Sequence, residues 1–413
     1  MPGPGVELIG EEEIAEVLEV LRTRRLSRYG SADDPNFGAK VMRVEQVIAG
    51  LVGVRFGLGL SGGGSASIWL SLLALGIGPG DEVIVPGFTY VASISAIVYA
   101  RAVPILADID ETFNLDPVDV EARITPRTRA ILVVHMLGAP ARLAELKEIA
   151  DRHGIALVED CAQAFGATYR GKSVGGIGTI GAYSFNEYKT ITCGDGGMVV
   201  TDDEELYQRC FAMHDQGHAP HRMESRYAER PFLGMNFRMT ELSGAVLLAQ
   251  VRKLDTIRSH LRANKAIVED VLAELPQLRF RELADSDGDL ATHLVVIFPT
   301  ADVARGVADE LGSITLDNSG WHVYANMEHF LAQRTITGKG CPFDCRCTYD
   351  RAIEYGRDHL PRTMALLARS ISFGIGVHDA NLAPFGLTMR DDASVANARA
   401  LQFLDVAARH LIG

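Results

Sequence analysis

This chain has no excess of basic residues and no long apolar run, and each absence excludes a class of function. Its 413 residues include 40 Lys and Arg against 53 Asp and Glu, a formal net charge of -13. Because affinity for nucleic acid comes largely from basic side chains, we expect no nucleic-acid binding. Apolar stretches such as Ile68–Leu75 are shorter than the roughly 20 residues that span a bilayer. The start MPGPGVELIGEEEIAEVL is acidic, unlike a secretory signal, so we expect a soluble cytoplasmic protein without membrane contact.

Cysteines are few, and three of the six lie far apart along the chain. The other three lie within the segment CPFDCRC, residues 341–347, which superficially resembles a metal cluster. The segment lacks a second cysteine pair, although His322 and His329 precede it. Because disulfides are rare inside cells, we expect reduced thiols on a surface excursion and no bound metal.

The first 250 residues alternate short apolar runs with amphipathic helical stretches. Continuous apolar runs are typical of strands in a parallel sheet that is covered on both faces. Six strands are predicted: Glu82–Pro86, Val103–Ile109, Ala130–His135, Ile155–Asp160, Ala182–Phe185 and Met198–Thr201. The pattern predicts an α/β fold with a large, mainly parallel sheet between helices.

From about Thr240 the pattern changes to a long helical stretch, which continues with a bend to Leu275. Short β-like pieces and a closing helix follow it. We therefore expect two domains. Residues 1–250 would form the large α/β domain, and residues 251–413 a linking helix and a smaller C-terminal α+β domain.

Two residues that could take part in a reaction, a lysine and an aspartate, lie at or after the ends of predicted strands. Lys189 comes after Ala182–Phe185, and the carboxyl ends of strands in an open α/β sheet border the crevice in which ligands bind. A lysine there can act as a nucleophile, although most lysines are solvated surface residues. Asp160 ends another predicted strand. A buried carboxylate needs a cation or donors, and a protonated pyridine nitrogen is one such partner, whereas Asp before a helix is alternatively an ordinary N-cap.

The segment LSGGGSAS, residues 60–67, runs directly into a predicted helix. Its free amide groups and the positive helix end suit a phosphate, with a flexible loop as the plain alternative. It matches neither GxGxxG nor the P-loop and contains no lysine, which disfavours a nucleotide triphosphate and a Rossmann dehydrogenase. Tyr90, at another strand end, can stack on a planar cofactor, although most such aromatic residues are core.

Each feature is ambiguous alone, but their combination predicts a site for pyridoxal phosphate (PLP). The lysine would form a Schiff base with the cofactor, the acid would pair with the pyridinium, and the helix terminus would hold the phosphate.

The sequence also resembles the DegT/DnrJ/EryC1/StrS family of PLP-dependent aminotransferases from about Arg55 to Val251. The motifs that carry this resemblance are LALGIGPGDEVIVP (73–86), FTYVA (88–92), EDCAQA (159–164), SF with Lys189 four residues on (184–189), GDGG (194–197) and GMNFRM (234–239). The family implies the type I aminotransferase fold and PLP as cofactor.

The resemblance assigns roles by position. Lys189 matches the lysine that bonds to the cofactor, Asp160 the partner of the pyridine nitrogen, Gln163 the contact to the ring and its phenolic oxygen, and Tyr90 the stacking aromatic. The remaining matches concern the phosphate: Gly64, Ser65, Ala66 and Ser184 of one chain, and Asn236, which in the family reaches the phosphate of the neighbouring subunit. The resemblance therefore implies a homodimer with shared active sites.

Two positions depart from the family pattern. Gly63-Gly64-Ser65 replaces the common Ser-Gly-Thr, which removes one hydroxyl from the phosphate turn, and Cys161 replaces the usual alanine. The lysine is present, which argues against the branch in which histidine replaces it and the enzyme performs dehydration.

The family implies transfer of an amino group from L-glutamate or L-glutamine to a keto-sugar or ketocyclitol, in aminoglycoside or amino-sugar biosynthesis. We expect acceptor choice to depend on the histidine-rich and aromatic segments 214–222 and 318–324. The alternative is a PLP-dependent cyclase, dehydratase or aromatising enzyme of the same fold. A non-catalytic regulator is less favoured because Lys189 and Asp160 are both present.

Overall fold

The computed structural model describes residues 3–31, 33–220, 231–344, 349 and 353–412. The helices of the first half are α1 Pro4–Glu7, α2 Glu11–Thr23, α3 Lys40–Val52, α4 Gly63–Ala74, α5 Val91–Tyr99, α6 Pro117–Arg123, α7 Leu143–His153 and α8 Glu204–His214. The strands there are β1 Phe56–Leu60, β2 Glu82–Pro86, β3 Val103–Ala107, β4 Thr128–Val134, β5 Ala156–Asp160, β6 Thr168–Tyr169, β7 Lys172–Ser173, β8 Ile180–Ser184 and β9 Gly197–Thr201.

The second half begins with the helices α9 Glu241–Val251 and α10 Leu254–Leu272. Its other helices are α11 Ala301–Leu311, α12 Glu328–Leu331, α13 Pro361–Ala368 and α14 Ala393–Ile412, and its strands are β10 Arg279–Phe280, β11 His293–Ile297, β12 Ser370–Ile375 and β13 Gly386–Leu387. Short 3-10 helices cover Met136–Gly138, Leu316–Asn318, Gly320–His322 and Tyr324–Asn326. None of the described helices combines the length and apolar character needed to cross a membrane.

The apolar runs of the first half form a seven-stranded sheet in the order β1-β9-β8-β5-β4-β2-β3. Strands β8, β5, β4, β2 and β3 are parallel, whereas β9 runs antiparallel to both of its neighbours. Every residue of β2 and β8 is buried, as expected for strands covered on both faces. The predicted α/β class with a mainly parallel sheet is confirmed.

Strand β1 is absent from the sequence prediction, and its glycines explain why. Gly57 and Gly59 take positions at which a strand normally carries a β-branched or aromatic side chain, so the strand pattern is weak. A Cβ atom on Gly57 would lie 2.9 Å from the carbonyl oxygen of Glu45. The same glycines that hide the strand therefore allow α3 to pack directly against it.

The second half packs a four-stranded sheet, in the order β10-β11-β12-β13, against helices α10, α11 and α14. The long helical stretch expected after Thr240 bends at Arg252 and Lys253, between α9 and α10. The domain boundary near residue 250 stays a prediction.

Residues from the second half also reach the large sheet. The Arg281 guanidinium donates to the carbonyl oxygens of Thr112 and Met136, at 2.6 and 3.2 Å, and Thr363 donates its hydroxyl to Asp108 at 2.6 Å. These bonds hold the second half against the carboxyl edge of the parallel strands.

The cysteine-rich excursion differs from expectation. Cys341 is disulfide-bonded, so the expectation of reduced thiols in this segment is wrong for that residue. A tight turn closed by pairing of Gly340 with Asp344 brings the chain back on itself here. Cys345 and Cys347, like His221 and Arg222 of the predicted acceptor segments, lie outside the described residues.

Candidate functional site

A cavity of about 540 Å³ lies at the carboxyl edge of the parallel strands. Seven of the predicted site residues line it: Gly64, Ser65, Tyr90, Asp160, Gln163, Ser184 and Lys189. Ala66 is buried within α4 and does not line the cavity. Asn236 is exposed and also lies outside the cavity of its own chain.

Two adjacent carboxylates end β5, and the alternation of side chains along a strand sends them to opposite sides. Asp160 lines the cavity, where the Ser93 hydroxyl donates to its Oδ2 at 2.7 Å and the Ala162 backbone N–H to its Oδ1 at 3.0 Å. Burial raises the pKa of Asp160, against the opposing influence of these two hydrogen bonds and of Lys189. A cation bound beside this carboxylate would stabilise its charged form.

Glu159 points the other way and is fully buried. The His135 Nε2–H donates to it at 3.1 Å, and the backbone N–H groups of Gly175, Ile177 and Gly178 donate at 2.7, 2.8 and 2.5 Å. The proton is on Nε2 because the His135 Nδ1 accepts a backbone N–H. Burial by itself raises the pKa of Glu159, but the hydrogen bond from His135 and the backbone donors hold that pKa below its ordinary value.

Lys189 lies in the connection from β8 to the antiparallel β9, so it is held by a hairpin loop and not by a helix. Burial lowers the pKa of Lys189, against the opposing influence of Asp160 and Asp379, whose negative charges favour the ammonium form. A lowered pKa keeps a larger fraction of the amine neutral and nucleophilic.

The glycine-rich turn forms the first turn of α4, which begins at Gly63. Its N-cap is Gly62, which has no side chain to accept a helical N–H, so the first amide groups need acceptors from outside the helix. A Cβ atom on Gly64 would lie 2.9 Å from the Cβ of Ser184. The turn therefore brings free amides and the Ser184 hydroxyl into one place, which suits a phosphate.

Gln163 and Tyr90 complete the predicted set. The Gln163 Oε1 accepts the Leu137 N–H at 2.8 Å, which leaves the Nε2 hydrogens to donate into the cavity. Tyr90 is half-exposed, and its ring centroid lies 5.0 Å from that of His322. An amide donor and an aromatic face thus border the same space.

Several lining residues are missing from the sequence prediction. Ser93 lies in the apolar helix α5, four residues after Thr89, and no local pattern distinguishes it. His378, Asp379 and Asn381 come from the loop after β12 in the second half of the chain. The polar cluster GVHDAN directly after an apolar strand is the one local signal, and only the fold places it at this cavity.

The two segments predicted to select the acceptor have different positions. His322, from segment 318–324, lines the cavity. His214, from segment 214–222, is fully buried elsewhere, with its Nδ1 2.6 Å from the carbonyl oxygen of Phe211. Among the described residues of segment 214–222, none lines this cavity.

The cavity fits pyridoxal phosphate on chemical grounds. It offers a glycine turn with free amides for a phosphate and an amide N–H for a phenolic oxygen. For a ring nitrogen, it offers the buried carboxylate of Asp160, which forms no salt bridge with any residue that the structure describes. It also offers an amine of lowered pKa for an aldehyde.

Comparisons with known proteins agree with this fit. The profile of the DegT/DnrJ/EryC1/StrS aminotransferase family matches residues 7–318. GDP-perosamine synthase of Caulobacter vibrioides is 42% identical over 263 residues, which cover 63% of this chain and 67% of that protein. L-glutamine:2-deoxy-scyllo-inosose aminotransferase of Streptoalloteichus tenebrarius is 37% identical over 329 residues, 75% of each chain. The X-ray structure of an aminotransferase from Psychrobacter cryohalolentis has a TM-score of 0.78 at 26% identity and covers 100% of both chains.

The Glu159 network generates a prediction about stability and pH. In Glu159→Gln, one carboxylate oxygen that accepts hydrogen bonds becomes an NH₂ group that faces buried N–H donors. We therefore expect the substitution to lower the free energy of unfolding by about 3 kcal/mol near neutral pH. The pKa of Glu159 is lowered from 4.5, so this stabilisation is complete above that pH and is lost as the pH falls through the lower folded value. Urea unfolding of the cofactor-free protein should therefore show a difference between wild type and variant that shrinks in acid.

The exposed Glu148→Gln is the matched control, and we expect it to change the free energy of unfolding by less than about 0.5 kcal/mol. A Glu159→Gln variant as stable as Glu148→Gln near neutral pH would contradict the importance of these four hydrogen bonds.

Proposed function

Because the chain belongs to the DegT/DnrJ/EryC1/StrS aminotransferase family, it is a PLP-dependent aminotransferase, and we propose that it transfers an amino group from L-glutamate or L-glutamine to a keto-sugar or ketocyclitol. The family, the cofactor and the fold predicted from the sequence are confirmed. The observation that carries the proposed reaction is the single cavity in which Lys189 and Asp160 lie beside the glycine-rich turn.

Lys189 is the residue that would hold the cofactor covalently, through its Nζ. Pyridoxal phosphate supplies an aldehyde that bonds to amines and a pyridinium ring that accepts an electron pair. Once the amino group of the donor has displaced it, the neutral Lys189 amine would take the proton from the donor's α-carbon and deliver it to the carbon of the cofactor's aldehyde group. Its lowered pKa supports this role, since a protonated amine could not act as a base.

Asp160 would keep the ring nitrogen of the cofactor protonated. Its carboxylate is fixed in position by Ser93 and the Ala162 N–H, so little reorganisation is needed when charge develops on the ring. The Ser93 hydroxyl is in turn 2.7 Å from that of Thr89, which orients it. We therefore assign Ser93 the task of holding Asp160 in its charged form.

The remaining predicted residues would position the cofactor. Gly64, Ser65 and Ser184 would bind the phosphate, with Ala66 contributing only its backbone. Gln163 would donate to the phenolic oxygen, and Tyr90 would stack on the ring. These assignments follow from the lining of the cavity and from the sequence motifs together.

The acceptor would bind on the side of the cavity lined by residues of the second half. His322, His378, Asp379 and Asn381 offer hydrogen-bonding groups that suit the hydroxyls of a polyhydroxylated ring. The similar proteins include one named for GDP-perosamine and one for an inosose, which supports a keto-sugar or a ketocyclitol as acceptor. A role in aminoglycoside or amino-sugar biosynthesis is consistent with both.

We also propose that the active form is a homodimer with shared sites. Asn236 does not line the cavity of its own chain, and its side chain is exposed, with its Oδ1 accepting the Arg238 N–H at 3.3 Å and its Nδ2 forming no hydrogen bond with any residue that the structure describes. Next to it, Leu233 is 96% exposed and Met235 is 54% exposed. Apolar side chains concentrated beside a proposed cross-subunit ligand are typical of an interface.

The proposed reaction is tested with L-glutamine carrying ¹⁵N in its α-amino group, offered with a panel of inososes and nucleotide-linked keto-sugars. We expect the label in an aminated ring product, detected by mass spectrometry, because only a transaminase moves nitrogen between the two substrates. A ring product that is altered but unlabelled would indicate a cyclase, dehydratase or aromatising enzyme instead. Amide-labelled glutamine is the control, and its label should stay in the released keto acid.

The role of Lys189 is tested by reducing the holoenzyme with borohydride and mapping its peptides. We expect the pyridoxyl tag on Lys189 in the wild type and in the exposed-lysine control Lys172→Ala. Lys189→Ala should carry no tag and lose the visible absorbance of the bound cofactor. A tag found on another lysine would refute the assignment.

The role of Asp160 is tested by the rate and its pH dependence. Asp160→Asn should lower kcat by about a thousandfold or more, since the ring nitrogen loses its anionic partner. In Ser93→Ala the pKa of Asp160 should rise further, because the Ser93 hydrogen bond lowers it. The acid limb of the pH–rate profile should then move to higher pH. A profile unchanged in Ser93→Ala would contradict the link between the two residues.

A further inference from the structure

We propose that residues 3–8, the N-terminal segment, together with Gln250, position Lys189 by bracing its loop from outside the cavity. The inference rests on the proposed role of Lys189. Residues 3–8 and Gln250 do not line the cavity, so they act through the loop and not on the substrate.

The N-terminal segment binds the backbone of the Lys189 loop directly. The Gly3 N–H donates to the carbonyl oxygen of Glu187 at 2.8 Å, and the Gly5 N–H donates to the carbonyl oxygen of Lys189 at 3.4 Å. Both glycines pack against the loop without room for a side chain. A Cβ atom on Gly3 would clash with the carbonyl group of Tyr188, and one on Gly5 would lie 2.8 Å from the Thr192 nitrogen. The glycines of the PGPG start are therefore required by this close approach.

Gln250, in α9, fixes the other end of the same loop. Its buried side-chain Oε1 accepts the Thr192 N–H at 3.3 Å, and its Nε2 donates to Glu13 at 2.9 Å. The Lys253 ammonium completes the network, at 2.8 Å from Glu13 and 2.7 Å from the carbonyl oxygen of Leu8. The loop and the N-terminal segment are thus held by the same group of buried bonds.

The N-terminal segment also contacts the second half of the chain. The Glu7 carboxylate accepts the N–H of Met389, just after β13, at 2.7 Å. Strand β13 pairs with β12, and the loop between these strands carries Asp379, whose charge acts on Lys189. One short segment therefore connects the lysine loop with the sheet that supplies the opposite wall of the cavity.

The Lys189 loop is closed at its base by its own bonds, such as that from the Cys193 N–H to the carbonyl oxygen of Phe185 at 3.0 Å, whereas the carbonyl oxygens of Glu187 and Lys189 accept from the N-terminal segment. Lys189 donates its backbone N–H to Asn186, and the side chains of Glu187 and Tyr188 are exposed. Displacing a reacting group by about 1 Å can cost two orders of magnitude in rate, so the backbone beneath the amine must be fixed. The N-terminal segment and Gln250 supply that rigidity.

The test compares Gly5→Ala with Gly10→Ala, a control just outside the segment where an added Cβ would lie 4.0 Å from the nearest atom. In Gly5→Ala we expect the dissociation constant for PLP to rise and kcat to fall, each by about tenfold or more, with KM for the acceptor nearly unchanged. We also expect the pH at which the visible absorbance of the bound cofactor titrates to shift. Gly10→Ala should match the wild type in all of these.

A Gly5→Ala protein that melts earlier but keeps the wild-type absorbance titration and PLP affinity would overturn the proposal, since the segment would then serve stability alone. If Gly5→Ala does not fold, Glu7→Ala provides the decision, because Glu7 is only half-buried. It should shift the absorbance titration in the same direction, and Glu7→Gln should restore it, since the amide oxygen still accepts from Met389. A Glu7→Ala titration identical to wild type would overturn the link to the second half.

These outcomes are separable from failure of the proposed function. A wild-type enzyme without a pyridoxyl tag on Lys189 would refute the function itself. A tagged wild type with an unaltered Gly5→Ala variant would refute only the bracing role.

Discussion

The placement of a buried carboxylate and a partly buried amine in one cavity at the carboxyl edge of the sheet is the constraint on which the rest of this structure depends. Burial raises the pKa of Asp160 and lowers that of Lys189, so each group alone tends toward its neutral form. Each one's charge opposes that tendency in the other. A cationic ring nitrogen and an aldehyde are the chemical groups that such a pair is suited to bind, and the glycine turn of α4 adds the place for a phosphate.

Keeping this pair in position occupies much of the surrounding structure. The other carboxylate of β5, Glu159, is held by four donors and so fixes the strand end from behind. The Leu137 N–H donates to the side-chain oxygen of Gln163, so the NH₂ group of that amide faces the cavity. Close contacts at Gly64 and Gly5 set the turn and the lysine loop against their neighbours. The reactive groups are therefore oriented by buried bonds that do not touch the substrate.

The residues proposed to hold the cofactor could be selected from the sequence because they follow local patterns, and seven of them line one cavity. Asp160 is the last residue of an apolar strand, Lys189 lies in the loop that follows another, and the phosphate turn opens a helix. Strand β1 could not be predicted because Gly57 and Gly59, which allow close packing against α3, lack the side chains that make up a strand pattern. Ser93 was missed because a serine inside an apolar helix carries no local sign of the carboxylate it meets, which lies 67 positions away.

The residues proposed to bind the acceptor come from the second half of the chain. His322 belongs to a short 3-10 helix, and its backbone carbonyl accepts the N–H of Thr89, so the second half of the chain is joined to the loop that carries Tyr90. His378, Asp379 and Asn381 belong to a loop between two strands of the small sheet. Both segments also act on residues proposed to hold the cofactor, because the His322 ring lies 5.0 Å from that of Tyr90 and the charge of Asp379 acts on Lys189. We therefore propose that the acceptor is bound by residues from a different part of the chain than those that hold the cofactor, and that a change of acceptor has to preserve the links of His322 to Tyr90 and of Asp379 to Lys189.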